Sequence, residues 1–266
     1  MTFSILPITT GHVRIKLTMR RGDGRGLRRR AKLMAKGPMT GALPIHAWLI
    51  DHPEGSILVD TGSTQSARDA PFATFHVARE DELDHQLQAA GVAPEAIGRV
   101  VLTHIHGDHV DGVPHVARAP VLAGAREIAF AGGASSRVAR RMTRQPLPPG
   151  FAPQPIALDG PAFGAFDHST PLTADGRVVA VPTPGHTPGH LSVVVVQDDH
   201  HVLLAGDVAY DLAQLRDLHV DGVAPKDDVA IATMKTVLAH GARHPTVFLP
   251  SHDPESVTRL TQTTTL

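Results

Sequence analysis

The sequence predicts an α/β sandwich, and three observations carry that reading. Apolar runs rich in Val, Leu and Ile recur along the 266 residues, and each ends in a polar, Gly-containing loop. Continuous runs of this kind suit strands buried on both faces. Two segments with helical spacing lie between them, so strands dominate and helices belong on the outside.

Taken in order, GSILVDTG (55–62) is a short β-branched run that stops at Asp60, Thr61 and Gly62. REDELDHQLQAAG (79–91) reads as a helix, with acidic residues early, Leu83 and Leu87 one turn apart and Gly91 as a stop. GRVVLTH (98–104) is a second strand and runs directly into HIHGDH (104–109). The Pro-rich QPLPPGFAPQP (145–155) is a loop. GRVVAVPTPGH (176–186), LSVVVVQD (191–198), HHVLLAGD (200–207) and TVFLPSHD (246–253) repeat the strand scheme. PKDDVAIATMKTVLAHG (225–241) is a helix with Pro near its start, acids in the first turn and Gly241 at its end. The chain shows no internal repeat or low-complexity linker, and residues 1–266 are read as one domain with a core over about 45–255.

Composition narrows the function classes. The chain is 42% hydrophobic and 19% charged with a formal net charge of −1, which offers no strong field for nucleic acid or an anionic membrane. No apolar stretch approaches the roughly 20 residues of a membrane-spanning helix. The N-terminus lacks a basic segment followed by an apolar block and cleavage site, so a cytoplasmic protein is expected. Residues 20–36, RRGDGRGLRRRAKLMAK, are markedly basic and read as a solvated loop or helix; their glycines lack the spacing of a dinucleotide-binding turn. There is no cysteine, which excludes disulfides, thiolate metal sites and Cys nucleophiles. Any metal must be held by nitrogen and oxygen.

Eighteen histidines are a heavy load for a chain with one Tyr and one Trp, and their positions give them meaning. His104, His106, Asp108 and His109 put four ligand types into six positions at the end of an apolar run. Extended backbone places His104 and His106 on one side, Gly107 allows a tight turn, and Asp108 and His109 open a helix or turn. His186, Asp207 and His252 stand at comparable strand ends. Together they predict a metal site. His190 is expected to be structural or to support a ligand, and His46, His76, His85, His115, His200 and His201 to be surface or core residues.

HIHGDH (104–109), followed by His186, Asp207 and His252 in that order, with LVDTG (58–62) in support, resembles the metallo-β-lactamase superfamily. The resemblance covers most of the chain. It implies an αββα sandwich, two mixed sheets with helices on the outer faces and a dinuclear metal centre at one edge. It implies that His104, His106 and His186 hold one ion, that Asp108, His109 and His252 hold the second, and that Asp207 bridges them. Asp60 resembles the aspartate that steadies a His ligand in this family. Nitrogen and oxygen ligation suits two divalent ions, zinc foremost, with manganese, cobalt or iron as other choices.

Within the superfamily, Asp108 favours the hydrolytic over the redox members. The lack of cysteine departs from β-lactamases with a Cys ligand; Asp207 takes that place. Tyr210, in GDVAY, together with SHDPE, is similar to the N-acyl homoserine lactone lactonases. That similarity implies quorum quenching by lactone ring opening, with a metal-bridging hydroxide attacking the carbonyl, Tyr210 assisting the oxyanion and Asp108 carrying the proton. The alternatives on the same metals are a thioesterase of the glyoxalase II type and an organophosphate or aryl-ester hydrolase. The expected partner is a small ester or lactone, with no nucleic acid or membrane, and the protein is expected to be a monomer or homodimer. Met34, Met39, Phe72, Phe75, Phe130 and Met142 lie in segments that could line an apolar groove.

Overall fold

The computed structural model describes residues 2–24 and 26–266, apart from the side chain of Leu27. Seven strands form the first sheet: β1 (Ser4–Ile15), β2 (Leu43–Asp51), β3 (Ser56–Val59), β4 (Ala73–His76), β5 (Ile97–Leu102), β6 (Val121–Gly124) and β7 (Gln154–Ile156), in the spatial order β4-β1-β2-β3-β5-β6-β7. Five form the second: β8 (Thr170–Pro171), β9 (Val178–Pro182), β10 (Leu191–Val196), β11 (His201–Gly206) and β12 (Thr246–Pro250), in the order β12-β11-β10-β9-β8. Both sheets are mixed. The pairs from β3 through β7 are parallel, as is β11 with β12, and the remaining pairs are antiparallel.

Nine helices accompany the sheets among the described residues: α1 (Leu17–Arg20), α2 (Gly26–Met34), α3 (Leu83–Ala89), α4 (Gly107–Val110), α5 (Ala125–Gly132), α6 (Ala134–Thr143), α7 (Leu212–Arg216), α8 (Asp227–Arg243) and α9 (Ser256–Gln262). Side-chain alternation along each strand sorts the apolar residues into layers. Trp48, Ile57, Val59 and Val101 of the first sheet meet Leu191, Val193, Val195, Leu204 and Leu249 of the second in one buried cluster between the sheets. Alternate residues point outward. Leu58, Val100 and Leu102 pack against Leu83 and Leu87 of α3 and Ala131 of α5. Val194, Leu203 and Phe248 pack against Leu215 of α7 and Met234 and Val237 of α8. The order helix, sheet, sheet, helix is the expected αββα sandwich. Each fully buried Val or Leu contributes about 1.5–3 kcal/mol.

Four expectations need correction: β7 takes Gln154 and Pro155 from the loop predicted over 145–155, α8 runs through Gly241 to Arg243 instead of ending there, and two further elements differ. The helix predicted over 79–91 is a 3₁₀ turn (Arg79–Asp81) followed by α3, because Glu82 adopts extended backbone (φ −64°, ψ 150°) between them. The strand expected to reach His104 ends at Leu102, where the chain leaves the ladder for the ligand loop.

The fold carries a titration of its own away from that loop. His201 Nδ1 and His240 Nε2 lie 3.0 Å apart, and His244 stacks on His201 with ring centroids 4.8 Å apart. Burial, then neighbouring imidazoles, push both His201 and His240 down to about 4, with Arg243 adding to the effect on His240. An unfolded histidine titrates near 6.5, so between roughly pH 6.5 and 4 the unfolded chain binds more protons than the folded one. Stability is therefore expected to be full above that window and to fall as pH drops through it. Urea midpoints measured across the window should fall less steeply for His240→Gln; an unchanged slope would remove this pair as the cause.

Candidate metal centre

The strands deliver their C-terminal ends to one edge. β3 and β5 are parallel, β9 and β11 run in the same sense because each is antiparallel to β10, and β12 is parallel to β11. Asp60, His104 and His106, His186, Asp207 and His252 all lie just past those ends. His106 caps the short helix α4, which carries Asp108 and His109. All seven residues expected to act as ligands converge here, in overlapping groups of His104, His106 and His186; His104, His109 and Asp207; and Asp108, His109 and His252.

Each of four imidazoles turns Nδ1 outward to a fixed acceptor. His109 Nδ1 donates to Asp60 Oδ2 (2.8 Å), His186 Nδ1 to Asp221 Oδ2 (2.9 Å), His252 Nδ1 to the Pro44 carbonyl (2.9 Å) and His104 Nδ1 to Thr103 Oγ1 (3.1 Å). An Nδ1–H committed outward leaves the Nε2 lone pair facing inward. His106 presents Nδ1 instead, 3.0 Å from both His104 Nε2 and His186 Nε2. One proton on His106 can satisfy only one of those two lone pairs, whereas a cation among the three nitrogens satisfies all of them.

The two oxygens of Asp207 face different groups. Oδ2 is 3.4 Å from His186 Nε2, and Oδ1 is 3.4 Å from both His109 Nε2 and His252 Nε2. Asp108 Oδ2 lies 3.5 Å from His252 Nε2. His109 Nε2, Asp207 Oδ1 and the Tyr210 hydroxyl are buried without a hydrogen-bond partner. Unsatisfied polar atoms at this depth are unusual in a folded protein, and His109 Nε2 and Asp207 Oδ1, 3.4 Å apart, suit ligation of a cation. The donor set of imidazole nitrogen and carboxylate oxygen suits borderline divalent ions such as zinc.

The surroundings hold this set in place. Asp60 sits at φ +61°, a left-handed conformation that Asp tolerates, and accepts from the Thr103 N–H and hydroxyl, both at 2.8 Å, as well as from His109. Gly206, at φ +55°, precedes Asp207; a Cβ there would lie 2.7 Å from His190 Nε2. His190 touches the site through backbone. Its Nε2 accepts the Asp207 N–H (3.1 Å) and its Nδ1 faces Thr183 Oγ1 (2.9 Å), while burial and the adjacent His186 push it down to about 3 and keep it neutral.

The electrostatics ask for positive charge. Burial opposes a charged His186, but Asp221 and Asp207 outweigh it and raise the group to about 9. Burial likewise opposes a charged His109, and Asp60 and Asp207 raise it well above the ordinary value. Asp207 would be pushed up by burial, yet His252, His109 and His186 hold it well below the usual carboxylate range. Protons and a metal ion therefore compete for these nitrogens. Two other clusters lack this demand. Arg79 neutralises Glu82 and Asp84 beside His115, and Glu54 and Asp175 beside His52 accept backbone N–H groups.

Asp221 carries no functional signal in the sequence. It lies in an irregular segment, HVDGVAP, and no strand end marks it; the Asp-Gly pair signals only a turn. Its Oδ1 accepts from Val223 and Ala224 N–H (2.8 and 2.7 Å), which aims Oδ2 at His186. Asp221→Asn is expected to weaken metal binding by roughly 10–100-fold, read by chelator competition; wild-type affinity would show that His186 does not depend on it. Tyr210 packs in a small apolar cluster with Val13, Ile15 and Ile45, flanked by Phe72 and Phe75, whereas Met142 is 71% exposed.

An αββα sandwich with histidines and aspartates gathered at its strand ends defines a class of metal-dependent hydrolases. This chain belongs to the metallo-beta-lactamase superfamily, whose pattern matches residues 40–252. It is 26% identical over 231 residues to N-acyl homoserine lactonase AttM of Azorhizobium caulinodans, covering 80% of this chain and 83% of that one. It is 24% identical over 224 residues to an N-acyl homoserine lactonase of Bacillus cereus, covering 80% and 82%. Among solved structures, an N-acyl homoserine lactone hydrolase with N-hexanoyl-L-homoserine bound at its catalytic metal centre superposes with a TM-score of 0.74 at 20% identity, over 97% of this chain and 96% of that one. At that identity the likeness establishes the fold. No described helix is long and apolar enough to cross a membrane.

Proposed function

We propose that the protein is a single-domain, dinuclear-metal hydrolase that opens the lactone ring of N-acyl homoserine lactones and so silences signals of that chemistry. The observation that carries this is the convergence of five histidines and two aspartates at one edge, with His109 Nε2 and Asp207 Oδ1 left without a hydrogen-bond partner and the unpaired, buried Tyr210 hydroxyl on a ring 5.6 Å from that of His252. Similarity to lactonases over four-fifths of the chain supports the substrate class.

His104, His106 and His186 would hold one ion and Asp108, His109 and His252 the other, with the Asp207 carboxylate within reach of both groups. Two divalent ions, when bound, lower the pKa of water to about 7 and polarise a carbonyl. The chain supplies the rest. Burial, and then the charges of Asp207, Asp221 and Asp108, hold the Tyr210 pKa well above the ordinary value. Tyr210 remains a phenol and donates its O–H to the lactone carbonyl oxygen as charge gathers there. Asp108 is the least buried member of the cluster beside His252, with 17% of its side chain exposed. Its carboxylate takes the proton of the attacking water and returns it to the ring oxygen as the C–O bond breaks. The product is the N-acyl homoserine.

The test is ring opening, followed as acid release, with metal-stripped, zinc-restored and His106→Ala protein. Activity that returns with zinc and is missing in the variant supports the proposal. Activity that survives both metal removal and the substitution contradicts it.

A further inference from the structure

Glu127 has no task in the chemistry described above, yet it is one of the most deeply buried carboxylates in the chain, at 1% exposure. It lies in the first turn of α5. Three neutral donors satisfy it. The Ile105 N–H donates to Oε1 (3.0 Å), and the Thr187 hydroxyl and Gly189 N–H donate to Oε2 (2.7 and 3.2 Å). Ile105 stands between His104 and His106, and Thr187 directly follows His186. One carboxylate thus fastens together the two loops that supply the three-histidine group, one loop from each sheet.

The backbone is shaped to permit this. A Cβ on Gly189 would lie 2.0 Å from the Glu127 nitrogen and 2.4 Å from its Cα, and a Cβ on Gly124 would lie 2.8 Å from the Gly189 carbonyl oxygen. Only glycine at 189 lets the loop after His186 close onto the start of α5. Burial pushes the Glu127 carboxyl up, and the three donors work against that shift. A buried carboxylate is costly unless its hydrogen bonds are needed. Packing alone would be better served by an apolar side chain.

We propose that Glu127 is a positioning residue: its carboxylate locks the Ile105 backbone to the Thr187–Gly189 turn and thereby fixes how His104, His106 and His186 stand relative to one another for one of the two ions. This rests on the reading of those histidines as metal ligands. A simpler role exists, since an acidic residue in the first turn favours any helix. The two roles separate on substitution. Gln keeps the shape but cannot accept from all three donors, because its amide nitrogen only donates. Asp keeps the charge in the first turn but is too short to span both loops.

Zinc competition against a chromophoric chelator on the full chain tests this, with thermal melts run in parallel. In Glu127→Gln, one zinc equivalent is expected to weaken by about tenfold while the other keeps wild-type affinity, and Glu127→Asp does not restore the loss. Thr187→Val, which removes one donor from the opposite side, should weaken the same equivalent; it carries the test if Glu127→Gln does not fold. Wild-type affinity for both equivalents would overturn the proposal. So would rescue by Asp, or equal weakening of both equivalents in step with the melting temperature. Zinc content left at the wild-type level in His104→Ala would instead overturn the metal reading itself, and the brace with it.

Discussion

Asp207→Ala is expected to lower kcat/KM for a lactone by roughly 10³-fold or more, since metal assistance is worth several kcal/mol of barrier. Asp207 stands between the two groups of candidate ligands, with Oδ1 and Oδ2 each 3.4 Å from an inward-facing nitrogen on a different side. It is also the anion that His109, His186 and His252 share. Its loss leaves three buried imidazoles with one carboxylate fewer to balance a cation. Zinc content should fall together with activity, as measured by elemental analysis after gel filtration. A variant that retained two zinc ions and normal turnover would exclude Asp207 from the centre.

Tyr210→Phe is expected to reduce kcat by about 10²-fold, the usual cost of removing one donor to a developing oxyanion, with KM and zinc content little changed. The ring is anchored among Val13, Ile15, Ile45 and Ala73, and Phe preserves that packing. The hydroxyl is buried and has no protein partner, so its removal leaves no new unsatisfied group. Steady-state kinetics on one lactone decides the matter. An unchanged kcat would make Tyr210 a packing residue.

Most of the centre was legible because its residues follow apolar strands at short spacing. HIHGDH announces itself, and His186, Asp207 and His252 each close a Val/Leu-rich run. The partners that aim the ligands are harder to read. Asp221 sits in an irregular segment, and Glu127 looks like any acid at a helix start; their importance lies in contacts 35 and about 60 residues away in sequence. Asp60 stands out because it ends a strand within LVDTG, a motif that resembles the family's. The first sheet was half hidden. β1 contains Pro7 and Gly11 and shifts register between Thr9 and His12, so its pattern breaks before it can be followed. In β2, His46 interrupts the apolar run yet is itself buried. The basic stretch at 20–36 gave no hint of its anchorage. Arg29 makes a two-pronged ion pair with Asp227 (2.6 and 2.9 Å) at the start of α8, and Gly22 N–H donates to the Val220 carbonyl (2.8 Å) next to Asp221. Such long-range pairs leave no periodic trace in a sequence.

The central claim is lactone hydrolysis, and its most direct test is a comparison of kcat/KM for zinc-loaded protein. The substrates are a short-chain and a long-chain N-acyl homoserine lactone, an aryl ester, a phosphotriester and a glutathione thioester. The lactones are expected to exceed the other three by orders of magnitude, and His106→Ala to abolish the difference. If the lactones are left intact while another of these substrates turns over in a His106-dependent manner, the metal centre stands and the lactonase assignment falls.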